Sequence, residues 1–205
     1  MLHLLLKEKL PSIFYNQFIP DYIIFILSII LTYKKYSPLL TGVSMVILYF
    51  YSYFIHKLFH YLPIIMNIHL KYHHNHSENK KIIHKYLNLA VELFSNIMFF
   101  VIFYYIQKVL GINFVPEILI FYYGFIYVSV HIVNYSIFHV SEAHILHHAN
   151  SSSIEKKENC NYGPDLVDHI FVTNCNKNIE NYNHIIINTL LSFLFTYYFY
   201  KPQLF

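Results

Sequence analysis

Fifteen histidines in 205 residues are the side chains whose type and spacing could do chemistry here, and most of them are grouped. His56 and His60 stand four apart in His-Lys-Leu-Phe-His, a spacing that sets both rings on one helix face. His69, His73 and His74 follow in His-Leu-Lys-Tyr-His-His, again a four-residue pair with an adjacent ring. His144, His147 and His148 form His-Ile-Leu-His-His, whose separations place three rings within roughly 100° of a helix surface. His131 and His139 close a long apolar run just before that group. Neutral imidazole is a good donor to iron, zinc, copper or nickel, and rings delivered by separate helices can build a site for more than one ion.

The grouping also excludes chemistry. Soluble di-iron bundles use glutamates with a Glu-x-x-His pair, which this chain lacks. It also lacks His-Glu-x-x-His, so zinc-peptidase chemistry has no general base. A lone histidine is usually an interfacial ring with a buried body and a wet tip, and His3, His169 and His184 are read that way. His76 and His84 are left open.

Apolar elements must position these rings. Hydrophobic residues make up 56% and charged residues 12%, with Tyr 21, Phe 19 and no Trp. That composition excludes a disordered chain and weighs against a soluble globule. All 14 basic residues are lysines, and a net charge of +3 without arginine is a poor basis for nucleic-acid binding. Apolar runs lie at roughly 22–33, 38–55, 86–107, 113–138 and 184–199, against about 20 residues for a crossing. The third and fourth qualify, and the second nearly does. The first needs the stretch from Ser12 to Pro20, while the fifth is short enough to lie on the membrane. Thr32–Pro38 and Leu110–Asn113 read as tight connections, so the expectation is all-α: four transmembrane helices in two hairpins beneath a histidine-rich helical cap. Residues 1–49 form the N-terminal hairpin with most of the second helix, 50–174 the catalytic region and 175–205 a membrane-associated apolar segment. Met1–Leu10 does not read as a cleavable signal peptide.

Parity then brings the clusters together. Two crossings separate His60 from His131, so all groups emerge on one side of the bilayer. With four crossings that side also holds Lys7, Lys9, Lys57, Lys71, Lys80, Lys81, Lys85, Lys156, Lys157 and Lys177, against Lys34, Lys35 and Lys108 opposite. The positive-inside bias therefore predicts a cytosolic histidine face. Cys160 and Cys175 would lie there as free thiols in a reducing compartment.

The order and content of these boxes resemble the fatty acid hydroxylase and sterol desaturase superfamily of membrane-bound, histidine-rich di-iron oxidases. His56–His60 is similar to its first box and His144–His148 to its last. Beyond the last box, Asn161-Tyr162-Gly163, Asp168, Phe171 and Thr173 resemble the family's Asn-Tyr-Gly, Asp, Phe-Gly-Thr tail. Val91-Glu92-Leu93-Phe94 resembles a segment between the second and third boxes. The likeness runs from about residue 50 to 174. Three features depart from it: three residues rather than two separate His69 from His73, Val172 replaces a glycine, and the link from His139 to His144 is short. The last departure leaves open whether His131, His139 or both fill the ligand position.

The resemblance implies two Fe ions held among His56, His60, His69, His73, His74, His131, His139, His144, His147 and His148, with Glu92, Asn161 and Asp168 as supporting groups. It further implies O2-dependent hydroxylation or desaturation of a fatty acyl chain, sphingolipid or sterol drawn from the bilayer. Electrons would come from outside, through a donor such as cytochrome b5 and its reductase, in the endoplasmic reticulum. From another class, a non-catalytic metal-binding membrane protein or metal transporter is the alternative; a transporter should carry ligands at mid-membrane, whereas these gather at helix ends. The sequence names neither the lipid nor the carbon oxidised.

Overall fold

The computed structural model describes residues 19–61, 82–151, 160–175 and 180–204, which are mainly helical with no strand among them. We number the helices α1 (Ile19–Thr32), α2 (Pro38–Tyr61), α3 (Ile82–Val109), α4 (Glu117–Ser129), α5 (Glu142–Ser151), α6 (Asp165–Phe171) and α7 (Ile186–Leu204). Three stretches are long and apolar enough to cross a membrane: Pro38–Tyr61, Lys85–Val109 and Glu117–Ile137. The protein is therefore an all-α integral membrane protein, and the described part of α1 is a shorter apolar helix beside these spans.

Local chemistry explains where the helices turn. Ser37 Oγ accepts from Leu40 N–H at 3.2 Å, and Pro38 occupies the first helical position, where its missing N–H costs nothing. Across that turn the Thr32 and Thr41 hydroxyls meet at 2.7 Å, tying α1 antiparallel to α2. Past α3, Gly111 takes φ +65°, and Ile112 N–H reaches back to Gln107 O at 3.0 Å, a left-handed helix stop. The Gln107 amide then grips Val115 N–H and C=O at 3.0 and 3.1 Å, closing the second hairpin. Within the apolar segments, hydroxyls bond back to their own helix, as Ser44 does to Leu40 O and Ser95 to Val91 O. Lipid offers no alternative partner.

Packing is largely aromatic. Gly124 lets α4 approach α3, since a Cβ there would lie 3.1 Å from Phe100 Cγ. Leu39, Val43, Phe94, Ile97 and Tyr105 face outward from the spans, as lipid contact requires. α7 runs alongside α4 for its length: Asn134 donates to His184 O at one end, Phe125 meets Phe195 and Phe121 meets Phe199 between, and Tyr200 donates to Glu117 at the other. The fifth apolar run thus packs against a span.

After Ser129 the α4 backbone widens into a π-helix, Val130–Ile137. The end of α2, this π-helix, α5 and α6 gather at one end of the bundle, opposite the Gln107–Val115 turn.

Candidate metal centre

Six histidines from three elements form one connected, buried cluster. His56 and His60 come from α2, His131 from the π-helix, and His144, His147 and His148 from α5. Ring centroids lie 4.8 Å apart for His56–His147, 4.9 Å for His60–His147, 6.1 Å for His56–His131, 5.4 Å for His131–His144 and 4.4 Å for His144–His148. One ligand nitrogen each from His56, His60 and His147 falls within 4.8 Å of the others. Beside this trio, the Nε2 atoms of His144 and His148 are 2.8 Å apart. Two nitrogens bound side by side on one ion at about 2.1 Å would sit about 3 Å apart, so this pair also suits a shared ion.

Backbone carbonyls select the nitrogen that each ring presents. His56 Nδ1 lies 2.8 Å from Tyr162 O, His147 Nδ1 2.5 Å from Cys160 O and His131 Nδ1 3.1 Å from Tyr127 O. A carbonyl only accepts, so Nδ1 carries the hydrogen in all three, and in the neutral ring this leaves the Nε2 lone pair for a metal. Tyr127 stacks on His131 at 4.3 Å, and Tyr135 stacks on His144 at 4.6 Å. A buried set of neutral imidazoles fits a borderline transition metal.

The segment carrying two of those carbonyls is itself held by Asp168. Its carboxyl accepts from Tyr162 N–H at 3.0 Å, Gly163 N–H at 2.5 Å and the Thr173 hydroxyl at 2.7 Å. Burial pushes Asp168 up to about 7, against the pull of these three donors. Asn161, at φ 56°, ties the same segment to α5 through Ala143 O at 3.0 Å and to Cys175 N–H at 2.9 Å. Asp168 supports the rings from one step back, because its oxygens are taken by the loop. Glu92 is buried on α3 and accepts from the Ser136 hydroxyl of the π-helix.

The other expected residues fall elsewhere. His139 is exposed, with φ 52°, beyond the end of the π-helix, so His131 and not His139 enters the described cluster. His69, His73, His74 and His76 lie outside the described residues, as does His3. The expectation of free thiols is corrected: Cys160 and Cys175 form a disulfide, with Cα atoms 5.8 Å apart. Folding of the Asn161–Thr173 loop back on itself brings residues 15 apart in sequence together.

Sequence reasoning missed Glu180. Its Oε2 accepts from Ser141 Oγ and Ala143 N–H, each at 3.0 Å, placing a carboxyl at the start of α5. Burial raises its pKa. Tyr127 and Tyr135 had a readable signal, four residues either side of His131; Glu180 had none.

A cavity of about 120 Å³ adjoins the cluster, with His56, His131 and His144 in its wall. It extends between α1, α2 and α4 past Tyr127 and Tyr123 to Tyr49 and Asp21. A family model described as fatty acid hydroxylase matches residues 41–173. No curated protein and no solved structure matches the chain.

Proposed function

The chain belongs to the fatty acid hydroxylase family, the match taking in the whole described histidine cluster, and on that premise we propose a membrane-bound di-iron oxidase acting on a lipid. The observation that supports this most is the joining of six buried histidines to a cavity running into the apolar bundle. His56, His60 and His147 would hold one ion and His131, His144 and His148 would contribute to a second, with His69, His73 and His74 as the further ligands that the family resemblance implies. Iron bound there would supply dioxygen activation for the hydroxylation or desaturation of a lipid C–H bond. The chain's own part is to fix each ring's presented nitrogen, exclude bulk water by burial, and align an alkyl chain between Tyr127, Tyr135 and the histidines. Reducing equivalents come from an external donor such as cytochrome b5.

Two irons per chain are expected from metal analysis of protein purified anaerobically in detergent. One ion, or no metal with all boxes intact, would sink the two-ion reading. Two ions with no O2-dependent product from any lipid would leave a metal-binding protein without catalysis.

The histidine end faces the cytosol in this proposal, in the endoplasmic reticulum membrane, because ten lysines against three favour it. The Cys160–Cys175 bridge argues the other way, since disulfides persist in oxidising compartments. Labelling decides between them. With both cysteines changed to serine and single cysteines placed at Ser37, Ser77 or Ser152, an impermeant maleimide outside intact microsomes, whose outer face is cytosolic, should label positions 77 and 152 and spare 37. The reverse pattern overturns the orientation, and opposite labelling of 77 and 152 would separate the boxes across the membrane.

A further inference from the structure

The far end of the cavity carries a carboxyl group that the histidine chemistry does not use. Asp21 on α1 lines it and accepts from the Tyr49 hydroxyl at 2.7 Å. Tyr49 stands seven residues before His56 on α2, about 10 Å along the helix axis at 1.5 Å per residue. An acid at this depth in an apolar bundle is expensive, and such residues mark functional pathways. Between Asp21 and the histidines the cavity wall holds Tyr127, 7% exposed, whose hydroxyl has no hydrogen-bond partner among the described residues. A buried phenol in that condition calls for a ligand atom. Among the described residues no lysine lines the cavity, and the chain has no arginine, so an anionic group at the Asp21 end would meet no positive charge from them. Asp21 lies outside residues 41–173, the part that the family model matches.

We propose that Asp21 is a specificity-determining residue: it accepts a hydrogen bond from a hydroxyl group of the lipid, while Tyr127 donates to that oxygen or to a second one. The substrate class is a hydroxyl-bearing lipid whose polar end reaches Asp21, so that the depth of the cavity sets which carbon lies at the histidines. This rests on the lipid-oxidase reading, yet it is tested by binding alone.

Radiolabelled hexadecanol and its methyl ether are titrated against the full-length protein in nanodiscs under anaerobic conditions. The two ligands share a chain and an acceptor oxygen, and only the alcohol donates. Wild type should prefer the alcohol by about tenfold, the upper end for one ordinary hydrogen bond that the ether cannot make. Asp21→Leu should bring the alcohol down to the ether's affinity. Asp21→Asn, which keeps a weaker acceptor, should retain a preference of only a few-fold. Tyr127→Phe should weaken both ligands equally and leave their ratio intact. Equal binding of alcohol and ether by wild type overturns the proposal, as does an unchanged preference in Asp21→Leu. If the leucine variant fails to accumulate, a wild-type ratio in Asp21→Asn overturns it. Preference for the alcohol without oxidised product would count against the oxidase reading and leave Asp21's role standing.

Discussion

Replacing His147 with alanine should cut lipid oxidation by about a hundredfold or more while the protein still accumulates in the membrane. His147 is fully buried, belongs to the nitrogen trio that lies within 4.8 Å, and has its Nδ1 hydrogen committed to Cys160 O. Loss of an outer partner of a metal ligand typically costs 10–100-fold in affinity or activity, and loss of the ligand itself should cost at least as much. The apolar spans are untouched, so insertion should survive. His131→Ala should behave alike, whereas His139→Asn should remain close to wild type, because residue 139 is exposed and asparagine tolerates its left-handed backbone. Product measured by mass spectrometry, beside membrane protein level and bound iron, checks all three. Wild-type product from His147→Ala would make the α5 cluster structural. A loss in His139→Asn equal to that in His131→Ala would show that exposure in this fold misidentifies the ligand.

Asp168→Asn should be the most damaging change among residues that are not themselves candidate ligands. The carboxyl takes two backbone N–H groups and one hydroxyl on its two oxygens. An amide can offer only one accepting atom, and its NH2 must face a donor. A buried donor left without an acceptor costs about 1–3 kcal/mol, and the site it disturbs supplies the carbonyls for His56 and His147. Iron affinity should therefore fall about 10–100-fold, with a lowered melting temperature in detergent. Thr173→Val removes one donor and leaves the backbone pair bonded, so its effect should be smaller. Equal iron content in wild type and Asp168→Asn would mean that the loop does not orient the rings.

Val172 shows how a departure from pattern becomes physical. The family's glycine at this point has a reason in the structure, where residue 172 caps α6 in the left-handed region at φ 56° and ψ 39°. A β-branched side chain is strained there, and glycine is not. Thr173 N–H nevertheless reaches Asp168 O at 2.8 Å, so the stop is made and the tail closes with valine in place.

Much of this was legible because it is local. Hydropathy over about 20 residues identified the three spans, and the Ser37-Pro38 and Gly111 signals marked their turns. Spacings of three and four put rings on common helix faces, and counting crossings placed the first and last boxes at one end without any distance being known. The tail motif around Asn161 and Asp168 pointed to the right segment and to a supporting role there, but not to the loop contacts through which Asp168 acts.

What tertiary structure decided is non-local. Which nitrogen a histidine presents depends on a carbonyl over 100 residues away for His56, and no periodicity encodes that meeting. The choice between His131 and His139 turns on a π-helix and on a backbone that turns left-handed just past it, neither of which hydropathy reports. The disulfide, the Glu180 carboxyl at the start of α5, and the cavity joining Asp21 to the histidines all arise where separate segments close on one another. Helix formation and membrane insertion are written in the residues of each stretch, whereas a site is written in the packing between stretches, because hydrogen-bond geometry at about 3 Å is set only when the chain has folded.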